Sequence, residues 1–233
     1  MQAKEPQLTI MDVLQSSTLL NALSQEEKLE LSRHCSQARA SRGEVIWLNG
    51  DEVDYFGLLG HGFVKMVKGS YLGTDATLEI IGPGQIFGLL GAIEGTGCPL
   101  TAISVTDSLY LKILKSVFLP IYEKNFALKD RLIRRTSMRL HSKHDLIAQL
   151  SSGTVEQRVA AILLLLAESY GHETEFGLQL DVPLTRQDIS EMAGTTVEST
   201  IRTMSKWQKE GIIETEKHYV TIKDKKAFNI FLA

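Results

Sequence analysis

PLTRQDISEMAGTTVESTIRTMSKWQKEG, residues 183–211, decides how the chain is read. It divides into two helical stretches around a single glycine. Thr185 is an N-cap with Asp188 three positions on, so the pattern predicts a short helix over Arg186–Ala193. Gly194 supplies the left-handed C-cap that only glycine adopts at little cost. Thr196 caps a second helix, with Glu198 and Ser199 in its first turn and Lys206 and Lys209 near its end, an order that suits the helix dipole. Ile189, Met192, Ile201, Met204 and Trp207 are expected to turn inward. That leaves Thr195, Thr196, Glu198, Ser199, Arg202 and Lys206 on the exposed face of the second helix.

Two short helices crossed over a glycine turn form a helix-turn-helix, whose second helix enters the DNA major groove by its N-terminal half. Arg202 can donate a fork to guanine O6 and N7, and Glu198 can accept from cytosine N4. The two are four residues apart and share a helix face. An i,i+4 Glu–Arg pair is also common on a solvated helical hairpin. What weighs against the hairpin is the continuation: Ile212 and Ile213, a polar turn at Glu216–His218, then Tyr219–Ile222. That is a two-stranded wing directly after the recognition helix. Thr185, Arg186, Gln187, Thr195, Thr196, Ser199 and Lys206 are then expected to hold phosphates or flanking bases, around base readout by Glu198 and Arg202.

The run LTRQDISEMAGTTVESTIRTMSKWQKEGII resembles the DNA-binding domain of the CRP/FNR family of bacterial transcription regulators. Its E-x-x-x-R, Glu198 and Arg202, matches the positions with which that family reads a TGA core. The resemblance implies a homodimer on double-stranded DNA, with a palindrome of the TTGA…TCAA kind. It also implies contact with RNA polymerase through the Tyr170–Gly177 loop, and hence activation.

The bulk numbers leave room for this reading. At 233 residues there is length for two cores. No stretch is long and apolar enough to span a membrane, and the N-terminus lacks a basic region followed by an apolar core. Two cysteines, Cys35 and Cys98, are too few for a disulfide framework and fit a reducing, cytoplasmic setting. A net charge of −3 argues against a nonspecific nucleic-acid coat, yet a sequence-specific reader needs only a local basic patch.

Taken in order, residues 1–23 form a lead-in anchored by Leu14, Leu19, Leu20 and Leu23. Ser24 to Glu27 is a capping box opening a helix to about His34, with Leu29 and Leu31 inward. From Arg42 to Ile113 short β-rich runs (Val45–Leu48, Tyr55–Leu59, Phe63–Val67, Thr77–Ile81, Leu109–Ile113) alternate with glycine turns, which predicts an antiparallel sandwich or jelly roll. Within it RGEVIWLNGDE, GHGFVKM and IGPGQIFGLLG resemble the family's effector β-roll. Phe118–Tyr122 links to one long helix over Phe126–Leu150. Its positions Ile133, Thr136, Leu140, Lys143, Ile147 and Leu150 alternate by three and four, a coiled-coil seam. The family resemblance makes it a dimerisation helix. Ser151–Gly153 reads as a hinge, and Thr154 with Gln157 recaps a helix to about Tyr170. Gly171–Gly177 is expected as a polar loop, Leu178–Val182 as a strand, and Asp224 as the cap of a last helix holding Phe228, Ile230 and Phe231. The fold class is therefore α+β: a sensing roll over 1–125, a dimerisation helix over 126–150, and a winged helix-turn-helix over 151–233.

The family's cyclic-nucleotide binders carry a glutamate for the ribose and an arginine for the phosphate after the F-G pair. In the corresponding run Gly88, Leu89, Leu90 … Leu100, Thr101, Leu89 replaces the glutamate and Leu100 (or Pro99) the arginine. A buried phosphate without its guanidinium is an unpaired charge, so the usual cyclic-AMP mode is not expected. Lys143 and His144 stand where the family's nucleotide-sensing pair sits, within reach of an anionic or aromatic effector or simply solvated. An iron–sulfur cluster needs more cysteines than two. His34, His61, His141 and Cys98 leave haem or another small effector open, and Cys98 leaves open a thiol switch. His61 stands alone in the roll, without the second histidine a cupin-type metal enzyme needs, so neither a metal site nor an enzyme is expected. The competing readings are an effector-independent regulator and a module that binds ligand or protein without specific DNA binding.

Overall fold

The computed structural model describes residues 8–69 and 75–231. The chain separates into two compact units, Met1–Lys68 with Ile80–Ser137, and Gly69–Glu79 with Met138–Ala233.

The first unit opens with α1 (Ile10–Ser16), capped reciprocally by Thr9 and Asp12, a single 3-10 turn, and α2 (Gln25–His34), capped by Ser24 and Glu27. Strands follow in the order β1 (Cys35–Ala40), β2 (Val45–Trp47), β3 (Tyr55–His61), β4 (Val64–Gly69), β5 (Asp75–Ile81, of which 75–79 are counted with the second unit), β6 (Ile86–Phe87), β7 (Thr101–Ser104) and β8 (Ser108–Leu114). They form two four-stranded sheets, β1-β8-β3-β6 and β2-β7-β4-β5. α3 (Leu89–Glu94) lies between β6 and β7, and α4 (Lys115–Lys124) leads into α5 (Phe126–Ser152).

Alternation along β3 explains the packing. Phe56 and Leu58 face the cluster of Leu14, Leu20, Leu31, Leu111, Ile113, Phe118 and Leu128. Leu59, on the other side, faces Trp47, Met66, Phe87, Cys98 and Tyr110. Gly57 must stay bare, because a Cβ there would collide with the Phe87 ring. The anchoring leucines of the lead-in are all buried, as expected.

One local expectation fails here, and one strand was not expected. Leu29 is 46% exposed while Lys28 is buried on its stem, so the apolar stripe of α2 is narrower than the pattern suggested. The strand β1 carries no apolar alternation, because CSQARA is small and polar. It is an edge strand paired along its length with β8 and needs only one covered face.

The second unit continues α5 to Ser152, where Gly153 ends it and Thr154 with Gln157 caps α6 (Val155–Tyr170). Next come β9 (Gly171–Thr174), β10 (Gly177–Leu180), α7 (Arg186–Ala193), α8 (Val197–Lys209), β11 (Ile213–Glu216), β12 (Tyr219–Ile222) and α9 (Lys225–Ile230). The strands make one sheet, β11-β12-β10-β9. The stretch expected as a polar loop over Gly171–Gly177 is instead the hairpin of β9 and β10. Its side chains are polar because it is the sheet edge, and Thr174 Oγ1 donates to the Gly177 carbonyl at 2.8 Å to close the turn. The expected strand ends at Leu180, and Val182 is buried beyond it. The apolar face of α6, including Val159, Ile162, Leu163 and Leu166, is fully covered, as are Ile189, Met204, Trp207, Val220, Ile222 and Phe228. Asp224 caps α9 through Lys226 N and Ala227 N. Phe231 lies just beyond α9 with its ring 5.0 Å from that of Trp207, while the Ile230 side chain lies outside the described residues.

Candidate nucleic-acid interface

The helix-turn-helix is assembled by its caps. The Thr185 hydroxyl accepts from Asp188 N at 3.1 Å and donates to Asp188 Oδ2 at 2.6 Å, so its one proton is committed within the cap. Gly194 closes α7 at φ 57° and ψ 44°, the left-handed conformation. Thr196 Oγ1 then accepts from Ser199 N at 3.2 Å and donates to Ser199 Oγ at 3.0 Å. Both bonds fix the first turn of α8.

α8 buries Thr200, Thr203, Met204 and Trp207. Ile201, expected inward, is 46% exposed. Positions 200, 204 and 207 form the inner stripe, and Thr200 can occupy it because its hydroxyl donates to the Thr196 carbonyl at 3.1 Å. Glu198, Arg202 and Lys206 are exposed, with Thr195 and Ser199 half-buried beside them. Among the described residues neither Glu198 nor Arg202 is engaged in a hydrogen bond or ion pair, which leaves both side chains available. Lys206 differs: its Nζ lies 2.8 Å from Glu156 Oε1 on α6, and that carboxylate raises the ammonium above its usual range.

The remaining expected phosphate residues each have a partner within the fold. Arg186 is half-buried and donates to Thr215 Oγ1 of β11 at 3.2 Å, with burial lowering its pKa. Gln187 is exposed and donates to Glu191 Oε1 at 2.9 Å. The wing follows α8 as expected, its turn made by Lys217 and His218. Missing from any local pattern is Arg158 of α6, whose NH1 donates to the Gly194 carbonyl at 2.7 Å. That pairing joins residues 36 apart, as the Lys206–Glu156 pair joins residues 50 apart, and no sequence spacing signals either.

The expected effector residues fall in different units. In the first, Gly88 starts α3 in the left-handed region at φ 80°, against the Trp47 ring. Leu89 is buried in the core, Leu90 is exposed, and the Leu100 carbonyl accepts from Trp47 Nε1 at 3.1 Å. Thr101 Oγ1 accepts from Asn49 N at 3.0 Å, and Lys68 Nζ donates to the Pro99 carbonyl at 3.1 Å. In the second unit Lys143 Nζ donates to the Leu78 carbonyl at 2.7 Å, burial lowering its pKa, and His144 is exposed. Neither Leu89 nor Leu100 (or Pro99), the residues the resemblance places there, can supply the carboxylate and guanidinium that would hold a cyclic nucleotide in the usual mode.

Along α5, Ile133, Thr136, Leu140 and Ile147 are exposed, and Lys143 and Leu150 are partly covered. Phe126, exactly one heptad before Ile133 in sequence, is 84% exposed.

Residues 37–125 match the cyclic nucleotide-binding domain, and residues 157–229 match the Crp-like helix-turn-helix domain. The "Anaerobic regulatory protein" of Haemophilus influenzae is 25% identical over 183 residues, 78% of this chain and 71% of that one. The "CRP-like cAMP-activated global transcriptional regulator" of Mycobacterium tuberculosis is 24% identical over 183 residues, 78% of this chain and 82% of that one. The solved structure of FixK2 from Bradyrhizobium japonicum superposes with a TM-score of 0.75 at 20% identity, covering 84% of this chain and 96% of that chain, a likeness of fold. Relatives with differently named signals match about equally well. With a cyclic-nucleotide-type roll ahead of a Crp-like helix-turn-helix, the chain belongs to the CRP/FNR family of DNA-binding transcription regulators, and it is not an enzyme.

Proposed function

We propose that the protein is a dimeric, sequence-specific regulator that reads a palindrome of TGA-type half-sites, TTGA…TCAA. The observation that carries this is the uncommitted Glu198–Arg202 pair on the outer face of α8. Arg202 takes a guanine and Glu198 a cytosine of each half-site. Lys206, Ser199, Thr196, Thr195 and Gln187 steady the backbone, while Thr185 and Arg186 support the cap and the wing.

The apolar stripe Ile133, Leu140 and Ile147 on α5, with Phe126 ahead of it, supports pairing of two copies. Such a pair sets the two recognition helices about 34 Å apart, one turn of DNA. Functional domains are assigned to 1–125, 126–150 and 151–233. The β9–β10 hairpin, with Phe176 64% exposed at its tip, is the surface offered to RNA polymerase for activation.

The gate of this regulator is a small-molecule or redox effector other than a cyclic nucleotide bound in the usual mode. The effector-independent reading is favoured by one observation: Leu89 and Trp47 pack into continuous cores where a polar ligand would need partners.

The test is fluorescence anisotropy of a TTGA-N6-TCAA duplex against a scrambled one at fixed salt, without effector and then with candidates added. Selective binding supports the reading, and its strength before any addition decides between the gated and constitutive forms. Arg202→Ala is expected to cost about 1–3 kcal/mol and to flatten preference at the guanine. Equal loss on both duplexes would sink the assignment of base readout.

A further inference from the structure

We propose that the first turn of α6 is a clamp on the recognition helix: Arg158 fixes its entry, and Glu156 holds Lys206 until a correctly placed phosphate displaces the carboxylate. Both are positioning residues, and the proposal rests on the reading of α8 as the DNA reader.

The two contacts grip α8 near its two ends. Arg158 NH1 reaches the Gly194 carbonyl at 2.7 Å, two residues before the Thr196 cap. Glu156 Oε1 meets Lys206 Nζ at 2.8 Å. From Thr196 to Lys206 is about 15 Å of helix, long enough for two fixed points to set its angle. Arg158 Nε is buried without an acceptor among the described residues, so this anchor is kept despite the desolvation it entails.

Lys206 lies one helical turn beyond Arg202 on the same face. A lysine there adds a phosphate contact to any duplex, which raises affinity without information. Glu156 opposes that in two ways: it occupies the ammonium, and it places a negative charge beside the lysine. Both side chains keep partial exposure, so the pair is weak enough for a phosphate to exchange. Only a complex in which α8 sits in register brings that phosphate close, so the exchange favours the specific site.

The experiment compares wild type, Glu156→Gln, Lys206→Ala and the double variant on palindromic and scrambled duplexes across a salt series, with thermal melts to verify folding. Glu156→Gln is expected to tighten scrambled DNA about two- to five-fold, with a salt slope steeper by about one, and to change the palindrome less. The double variant loses that gain. An unchanged scrambled affinity and slope in Glu156→Gln would overturn the hold. Arg158→Ala is expected to speed amide exchange in the first turn of α8 at least ten-fold, and unchanged exchange would overturn the entry anchor.

Failure of the DNA reading is distinguishable. A wild type that does not prefer the palindrome rejects that reading alone, while NMR titration of the Lys206 side chain still judges the hold. Its midpoint falls in Glu156→Gln if the carboxylate holds the ammonium, and a midpoint that does not move rejects the hold.

Discussion

Leu184 donates its backbone N–H to the carbonyl oxygen of His218 at 2.9 Å, tying the residue before the α7 cap to the turn of the wing. That turn is strained: Lys217 and His218 have φ of 48° and 74°, values that suit glycine or asparagine. The sheet twist demands such a turn between β11 and β12, and the bond from Leu184 helps hold it. The wing is therefore positioned from the helix-turn-helix as well as by its own strands.

Lys217→Gly should relieve this strain. A left-handed residue costs about 1–2 kcal/mol and glycine's extra chain entropy about 0.5–1 kcal/mol, so a net gain of up to about 1.5 kcal/mol is expected. Chemical denaturation followed by circular dichroism measures it. A lowered midpoint would contradict the strain.

Trp207 is fully buried and packs its ring 5.1 Å from Phe228 and 5.0 Å from Phe231. Trp207→Ala should cost about 3–5 kcal/mol by leaving a cavity beneath α8. Trp207→Phe should cost less than half of that, since Nε1 is buried without a partner among the described residues and its removal forfeits no bond. Melting curves of the two variants check the order.

Phe126, Ile133, Leu140 and Ile147 recur every seven residues and all stand exposed along α5. Leu140→Lys puts a charge in the middle of that stripe. Sedimentation velocity should show a shift from dimer to monomer at micromolar concentration, with palindrome affinity at least ten-fold weaker. A variant that remains dimeric would locate the pairing surface elsewhere.

Burial pushes the Cys35 thiol from 9.0 up to about 11. Between those values the unfolded chain loses this proton first, so the native state binds more protons and stability falls as pH rises. Below pH 9 the thiol contributes no slope. Thermal melts from pH 8 to 11 should therefore show a loss in wild type that is smaller in Cys35→Ser. Identical curves would mean that Cys35 does not titrate in this way.

Helix ends were the most legible part of the sequence. Ser24 with Glu27, Thr154 with Gln157, and Thr185 with Asp188 each fold into the reciprocal cap their spacing predicts, because such caps are made within four residues. The wing was legible for the same reason: its strands and turn are adjacent in sequence. Ile201 and Leu29 were misplaced because a helical stripe read from spacing has an uncertainty of one position. The neighbour that covers the helix decides which side of the stripe is buried, and at Thr200 a back-bonded hydroxyl let a polar residue take the inner place.

The sequence by itself determined the winged helix-turn-helix, the roll and long helix before it, and the exposed Glu198–Arg202 pair. Local hydrogen bonds and side-chain periodicity encode all of these. Only the tertiary structure decided that β1 completes the first sheet, that the stretch after Tyr170 is a hairpin, and that Glu156 and Arg158 grip α8. These depend on partners between 36 and 78 positions away, such as Cys35 with Ile113, or on which sheet edge is free. Contacts at that range form because packing the apolar faces brings their neighbours together, and no local residue pattern records them.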